Sequence, residues 1–466
     1  MVKANMKDNK ISQGLLAGYC AVTGKEVHLP YDRLPQHVSI CGATGSGTSI
    51  LNDSLIKQQI DNGGGLLFIN GGLANKELEK IYQYACSAGR EAEFLVINPT
   101  DPDLSNSYNP IMFGDPQEVT SRIMSLLPDT AGNAGADFFR SSAQQALETI
   151  ISAFQCLGKP YNFEDLASVF LYEQALMEVE RRLHEDHHEA DETTQFSALL
   201  SRYKTAKGFE MEKFKETLGG LAGRLHQFST GTFGRVMNTY NPEVNLEECI
   251  LQNKILYVML PTMGENEQAI ALARLIVSDC RSAIARCQKR PVEELPNPPF
   301  MLHPNNCAPY MDTSWSRIFE QARTSRIFMT PLFQTLSELK PSGDETLSEI
   351  VTGNTYFKFL FKQSSMDSAT ESAKLIGMCI QTKVVNGKIT QCSEESYIVN
   401  PEQFRSIPVG ECLLLVGGKD LYRLRLPYPT SPDSTQENKP IALNHCYKDE
   451  VAGLNLGEAV REFMIG

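Results

Sequence analysis

The segment from Val38 to Ile50 constrains the fold of this chain more than any other. It consists of a short apolar run, a glycine-rich loop and the start of a helical pattern, which is the order that a phosphate-binding loop needs. The loop pattern G-x-x-x-x-G-K-[ST] is met at Gly42, Gly47 and Ser49. Glycines let the backbone curl around an anion, so that loop N–H groups and the helix N-terminus face its oxygens. The segment therefore predicts an α/β fold with an anion-binding loop after one strand.

The lysine of this pattern is missing, because Thr48 stands in its place. That lysine sets a positive charge against the β- and γ-phosphates of a nucleotide, and threonine carries no charge. Two interpretations stay open. Either the backbone and Ser49 hold ATP with Mg²⁺ weakly, or the segment is a glycine-rich turn without nucleotide. The candidate nucleotide-binding residues are Gly42, Ala43, Thr44, Gly45, Ser46, Gly47, Thr48 and Ser49.

Short apolar runs alternate with longer helical stretches along most of the chain, which predicts a mostly parallel central sheet flanked by helices. A further run, Lys419 to Leu426, alternates in polarity and is predicted to pair antiparallel with the strand before it. The predicted buried strands are His37 to Cys41, Leu66 to Asn70, Phe94 to Ile97, Ile255 to Leu260, Pro299 to His303, Ile327 to Thr330, Tyr356 to Phe361 and Cys412 to Val416.

The stretch 114–239 interrupts this alternation, because it is long and has helical periodicity without convincing strands. We predict an all-α domain here (114–239), inserted between an N-terminal part of a nucleotide-binding domain (1–113) and its remainder with the C-terminal strands (240–466). The insert contains an acidic run with His184, His187 and His188. A metal site is one interpretation of this run. A solvated turn is the other, and the density of charge favours it, so no metal ligand is predicted.

Composition excludes some classes of protein. The net charge of -13 argues against a broadly basic surface for nucleic acid, although it leaves room for a locally basic pore. The 12 cysteines include no C-x-x-C pair, which argues against a zinc ribbon and favours a reducing, cytoplasmic setting. No signal peptide and no apolar run of about 18 residues is present, so no transmembrane segment is expected.

Beside the glycine-rich loop, several segments match a known family: Gly63 to Lys80, Ser105 to Pro110, Arg224 to Thr239, Asn253 to Leu260, Phe319 to Leu339 and Gly353 to Phe361. They resemble the type IV coupling proteins of conjugation and type IV secretion, and the last three segments are specific in combination. In that family a RecA-like ATPase domain carries an inserted all-α domain and assembles as a hexameric ring, which feeds DNA or protein to a secretion channel. The resemblance implies a RecA-like P-loop NTPase fold. It also implies partners: other subunits of the apparatus, in a ring of like copies or shared with an active ATPase.

The departures from this family fall at its catalytic positions. His303 and Pro304 stand where the family has an aspartate that holds Mg²⁺ and a glutamate that polarises water. Mg²⁺ prefers oxygen ligands to histidine, and proline cannot act as a base. The family's Asp-Gly-Lys-Gly-Asp is replaced by the uncharged segment Asn70-Gly71-Gly72-Leu73-Ala74. With Thr48 in place of the lysine, the resemblance implies a pseudo-ATPase without catalytic residues.

Other family residues are retained. Gln334 matches a glutamine that senses the γ-phosphate, and Arg323 and Arg326 are candidates for an arginine finger that reaches a neighbouring subunit. Packing and subunit contacts are the alternative roles for all three. The predicted function is a scaffold or substrate-recruiting subunit in the cytoplasm. The family's N-terminal transmembrane helices have no counterpart here, so the expectation is either a soluble form or attachment to the bacterial inner membrane through partners. The alternatives are an active ATP-driven DNA or protein translocase and, against the acidic composition, a nucleic-acid-binding module without motor action.

Overall fold

The chain forms two compact units, and each is assembled from separate stretches of sequence. The first comprises Met1–Phe94, Glu248–Val258 and Cys287–Ile441, and the second comprises Leu95–Glu247, Met259–Arg286 and Ala442–Gly466. The computed structural model describes residues 14–72, 75–127, 134–217, 220–260, 266–340, 344–385, 388–427, 439–443, 445 and 451–465.

The strands are short, as the sequence predicts for a buried sheet. They are β1 Leu15–Cys20, β2 Glu26–Leu29, β3 Val38–Cys41, β4 Leu66–Asn70, β5 Phe94–Ile97, β6 Lys204–Thr205, β7 Gly208–Phe209, β8 Ile255–Met259, β9 Phe300–Asn305, β10 Ile327–Met329, β11 Leu332–Phe333, β12 Phe357–Leu360, β13 Met378–Val385, β14 Lys388–Tyr397, β15 Glu411–Val416 and β16 Asp420–Arg425.

The helices lie between and beyond these strands. They are α1 Thr48–Asp61, α2 Asn75–Ser87, α3 Pro116–Met124, α4 Ala134–Cys156, α5 Phe163–Leu171, α6 Glu173–Asp186, α7 Asp191–Ser201, α8 Met211–Thr217, α9 Leu221–Ser229, α10 Gly231–Met237, α11 Leu246–Leu251, α12 Asn266–Cys287, α13 Ser316–Gln321, α14 Thr346–Asn354, α15 Met366–Ile376, α16 Pro401–Arg405 and α17 Leu456–Ile465. Within the described residues, no helix is long and apolar enough to cross a membrane.

Two sheets organise the α/β part of the molecule. The seven-stranded sheet has the order β11-β3-β12-β15-β16-β1-β2, and the five-stranded sheet has the order β10-β9-β4-β8-β5. Pairing is parallel between β11, β3 and β12 and also between β10, β9 and β4. It is antiparallel from β12 through β15 and β16 to β1 and β2. The parallel strands therefore carry the P-loop side of the sheet, and the antiparallel strands extend one edge.

The eight predicted buried strands are all present, within two residues of their predicted ends. Every residue of β3, β4 and β8 is buried, which explains why their sequences do not alternate in polarity. The predicted antiparallel pair is also confirmed, because β15 and β16 form a hairpin through Gly417 (φ 58°) and Gly418 (φ 73°). Three residues, Gly417 to Lys419, join the paired residues Val416 and Asp420, and glycine adopts the positive φ angles of this tight connection without strain.

Two strand boundaries differ from the prediction for physical reasons. His37 does not begin β3, because its φ of 68° ends a preceding 3-10 helix, Leu34–Gln36. β9 does not stop at His303 but continues through Pro304, which pairs with Ile69 of β4. The alternating ladder directs the missing N–H of Pro304 towards β10, and β10 already ends at Met329. Proline therefore removes no hydrogen bond from the ladder.

The second unit contains the run of helices from α3 to α10. The helical patterns in this stretch correspond to helices such as α3, α4 and α6, and the small hairpin of β6 and β7 is an addition that the sequence did not indicate. The boundaries of an inserted all-α domain, 114–239, stay a prediction.

Candidate functional site

The glycine-rich loop joins the end of β3 to the start of α1. Gly45 and Gly47 have φ angles of 77° and 103°, a region of backbone space that glycine adopts without strain. A Cβ atom on Gly47 would also lie 3.0 Å from the backbone nitrogen of Gly410. The curl of the loop therefore depends on glycine at both positions, as the phosphate-loop pattern predicts.

The backbone of this loop is only partly hydrogen-bonded within the protein. Gly42 donates to the carbonyl of Phe333 (3.2 Å), and Ala43 donates to the carbonyl of Lys362 (3.0 Å). Among the described residues, the N–H groups of Thr44, Gly45 and Gly47 have no protein acceptor. The hydroxyl oxygen of Ser46 is buried and also has no hydrogen-bond partner in the described part of the chain. These groups remain available to an anion.

Thr48 is the first residue of α1 and is 8% exposed. Its Cγ2 methyl lies against the start of the loop, since a Cβ atom added to Gly42 would be 3.0 Å from it. The position that carries a lysine in the phosphate-loop pattern therefore supplies a methyl group to the loop and no positive charge. Ser49, the next residue, is exposed at the first turn of α1.

The structure brings Gln334 to the loop. The hydroxyl of Thr44 donates to Oε1 of Gln334 (3.2 Å), and the backbone N–H of Gln334 donates to Glu338 (2.9 Å). Glu338 was not among the predicted site residues. Its position four residues after Gln334 in the sequence was the signal that could have identified it. Burial raises the pKa of the Cys41 thiol to about 12, and the negative charge of Glu338 adds to this rise. A carboxylate near the loop opposes the binding of phosphate.

His303 is buried in β9 and is held as a neutral ring. Its Nδ1 lies 2.7 Å from the hydroxyl of Thr330, and its ring stacks on Phe68 with a centroid distance of 5.0 Å. Burial lowers the pKa of His303 to about 3. Its Nε2 has no hydrogen-bond partner among the described residues. The aromatic and apolar surroundings favour an uncharged side chain at this position.

Neutral groups occupy the ends of β4 and β9, where the resemblance places charged residues. Asn70 donates to the hydroxyl of Tyr257 (2.8 Å) and accepts from Asn305 (3.3 Å). The hydroxyl of Tyr310 lies 2.9 Å from the carbonyl oxygens of both Ile69 and Asn305. Tyr257 and Tyr310 were not predicted as site residues, because nothing in their local sequence shows that they meet the ends of β4 and β9. The network consists of amides, phenols and carbonyls.

The two arginines lie away from the loop of their own chain. Arg323 and Arg326 precede β10, which continues through Thr330 and Pro331 to β11, a strand that runs parallel to β3. They therefore lie at the end where β3 begins, opposite the loop. Arg326 donates to the side chain of Asn297 (2.9 Å), whereas Arg323 is exposed.

The histidine-rich run does not form a metal cluster in the described residues. His184 is 3.2 Å from the hydroxyl of Ser197, and His187 is the C-cap of α6. Nowhere in the described ranges do three or more His, Cys, Asp or Glu side chains converge in a way that would hold a metal ion.

Comparison with known proteins places this geometry in context. No family model matches the chain. The type 4 coupling protein DotL of Legionella pneumophila subsp. pneumophila is 23% identical over 348 residues, which is 66% of this chain and 44% of DotL. The chain thus spans less than half the length of this curated relative.

Solved structures show the same fold. The bacterial conjugative coupling protein TrwB superposes with a TM-score of 0.64 at 13% identity, over 94% of this chain and 92% of that one. TrwB in complex with ADP and Mg²⁺ gives the same score, with 93% of this chain covered and 92% of that one. VirB4 of Thermoanaerobacter pseudethanolicus has a TM-score of 0.53 at 12% identity, over 90% and 98% of the two chains. The predicted RecA-like P-loop NTPase fold is confirmed, and the chain is a homologue of the type 4 coupling protein DotL with the fold of the coupling protein TrwB.

Proposed function

We propose that this chain is a catalytically degenerate coupling protein, which serves a type IV secretion or conjugation apparatus as a scaffold or substrate-recruiting subunit. The observation that carries the proposal is the environment of His303. This residue occupies the position of the magnesium-binding acid, yet it is buried, neutral and stacked on Phe68. A site that bound Mg²⁺ through this position would need a carboxylate in a polar setting.

The electrostatics of the loop support the same proposal. Phosphoryl transfer depends on fixed positive charges that stabilise the transferring group, and each such group contributes a few kcal/mol to lowering the barrier. In the described part of the chain, no lysine or arginine side chain donates a hydrogen bond to a loop residue. Thr48 presents its methyl group to Gly42, and the side chain of Pro304 has no group that could activate water. Within the described residues, no hydrogen bond or ion pair therefore supplies a substitute for the lysine, the magnesium ligand or the base.

The homology to DotL supports the choice of partners. On this proposal the chain associates with other subunits of the secretion or conjugation apparatus, in a homo-oligomeric ring or in a ring with an active ATPase. Its substrate is DNA or protein, and its attachment to the inner membrane comes through those partners. Arg323, which is exposed, is the better placed of the two arginines to reach a neighbouring subunit.

The retained loop favours a second candidate function, a subunit that binds nucleotide without hydrolysing it. The positive φ angles of Gly45 and Gly47, the unpaired N–H groups and the buried Ser46 hydroxyl are those of an anion-binding loop. An active translocase is the remaining alternative, but it needs a substitute cation and a substitute base.

Calorimetric titration of ATP with Mg²⁺ into the purified chain tests whether the loop still binds. We expect weak binding, with a Kd of about 1 mM, because only neutral donors face the phosphates. The Gly47→Ala variant should weaken binding about tenfold or more, since the loop cannot keep its curl. Gly89→Ala is the matched control, because Gly89 also has a positive φ (69°) but lies between α2 and β5 with no atom near its absent Cβ.

The outcomes separate the candidates. Weak binding without turnover that Gly47→Ala weakens further supports a degenerate subunit that still senses nucleotide, and no binding supports a scaffold that retains only the fold. Micromolar binding together with turnover would overturn the proposal of a degenerate coupling protein.

A further inference from the structure

A second concave site lies in the first unit at the end where β3 begins, opposite the glycine-rich loop. It is a cavity of about 480 Å³, lined by His37, Phe319, Glu320, Arg323, Tyr356 and Lys358 among others. Ligand-binding pockets in proteins have volumes of about 300–1,000 Å³, so this cavity has the size of a small-molecule site.

The most unusual group in the cavity wall is the ammonium of Lys358. This residue lies in the middle of the sheet, paired with Ser39 of β3 and Leu415 of β15, and is 7% exposed. Burial lowers the pKa of Lys358, and within the described residues no carboxylate forms an ion pair with it. A buried charge without a counter-charge is costly, so a lysine at this position needs a compensating partner.

Contacts within the protein compensate for only part of the buried charge of Lys358. The ammonium donates to the carbonyl of Thr355, the C-cap residue of α14. That carbonyl belongs to the negative end of the helix, where a lysine is favourable. Lysine has three N–H donors, and the described contacts use one of them. The remaining donors are available to a ligand in the cavity.

Arg323 brings a second positive charge to the same cavity. It is exposed at its side chain, and its charge contributes to the low pKa of His37, which burial lowers to about 4. His37 is a neutral wall residue with both ring nitrogens occupied, since Nε2 lies 2.8 Å from the carbonyl of Phe319 and Nδ1 accepts from the N–H of Met329 (3.1 Å). Among the lining residues, Glu320 is the carboxylate that opposes these two cations.

We propose that this cavity binds a small ligand with an oxyanion group, a phosphate or a carboxylate, held between Lys358 and Arg323. The aromatic side chains of Phe319 and Tyr356 offer surface for the body of such a ligand. The site is separate from the glycine-rich loop, and the inference does not rest on the proposed function. An oxyanion here supplies the counter-charge that the buried ammonium lacks.

The test is a calorimetric titration of the whole chain with inorganic phosphate and, in parallel, with succinate, both at constant ionic strength. The variants are Lys358→Met, which keeps the aliphatic stem, and Arg323→Gln, which changes an exposed side chain and should leave folding intact. We expect Lys358→Met to weaken binding about tenfold or more, and Arg323→Gln to weaken it several-fold. Gly47→Ala should keep the binding that depends on Lys358 and Arg323, because Gly47 lies in the glycine-rich loop and not in the wall of this cavity.

The two probes identify the head group. Tighter binding of phosphate indicates a phosphate-bearing ligand, and tighter binding of succinate indicates a carboxylate. The proposal is overturned if neither probe binds, if Arg323→Gln and Lys358→Met bind as the unmodified chain does, or if Gly47→Ala abolishes binding. Should Lys358→Met fail to fold, Arg323→Gln decides alone.

Discussion

The His303→Asp variant is expected to be about 3 kcal/mol less stable than His303→Asn at pH 8, because it buries a carboxylate without a partner. Aspartate and asparagine have nearly the same shape, so the difference between the two variants isolates the charge. The site offers the hydroxyl of Thr330 and the ring of Phe68, and no cation contacts His303 in the described residues. Urea unfolding of both variants at pH 8 measures the difference in free energy.

The same comparison bears on catalysis. A position that still accepts the magnesium-binding acid would tolerate aspartate as well as asparagine. Equal stability of the two variants at pH 8 would therefore contradict the view that this strand end has become an apolar packing site. The gap should also narrow as the pH falls, because protonation removes the buried charge.

Acid is expected to destabilise the protein through its buried histidines. The pKa of His303 falls from 6.5 to about 3 on folding, and that of His37 falls from 6.5 to about 4. At a pH between the folded and the unfolded pKa of each histidine, the unfolded chain binds a proton that the folded chain does not. Their contribution to stability is therefore fully present above about pH 6.5 and is lost as the pH falls towards 4 and 3. Each histidine should add about 1.4 kcal/mol per pH unit to the slope.

Urea unfolding at pH 7, 6 and 5 of the unmodified chain and of His303→Asn measures this contribution. In His303→Asn, the free energy of unfolding should depend less steeply on pH, by about 1.4 kcal/mol per pH unit, because one buried histidine no longer titrates. The difference between the two proteins is the relevant quantity, because burial raises the pKa of Asp165 to about 6 and this carboxyl group acts in the opposite direction. His226→Asn is the control, since His226 is exposed. An unchanged slope in His303→Asn would show that the pKa of His303 is not lowered on folding, which would contradict the neutral, buried environment of this residue.

The sequence predicted the strands well because their burial on both faces is written in continuous apolar runs such as Leu66 to Asn70. The sequence was less informative where a neighbouring strand determines the point at which a strand ends. The strand β9 continues through Pro304 because β10 ends early, and the length of β10 is not visible at Pro304. The glycine-rich loop and its missing lysine were evident from residue spacing alone, because the whole pattern lies within the short segment Gly42 to Ser49.

The contacts around the candidate site could be identified only from the fold, because most of them join residues that are distant in the sequence. Glu338 reaches the glycine-rich loop through Gln334, Tyr257 reaches Asn70, and Tyr310 reaches the carbonyl of Ile69, all from distant segments. The cavity around Lys358 is a similar case, because a lysine inside a strand has no sequence signature of burial. The identification of His303 and Pro304 as degenerate positions came from the family resemblance, and the structure adds that their environment is neutral.

The proposed function requires that this chain does not hydrolyse ATP, and the release of inorganic phosphate from ATP with Mg²⁺ by the purified chain tests this directly. The Gly47→Ala variant serves as the blank, because it disrupts the glycine-rich loop, where the added Cβ also meets the backbone of Gly410. We predict that the unmodified chain and Gly47→Ala release phosphate at the same background rate. Faster release by the unmodified chain than by Gly47→Ala would contradict the account and would require a substitute for the missing lysine and acids.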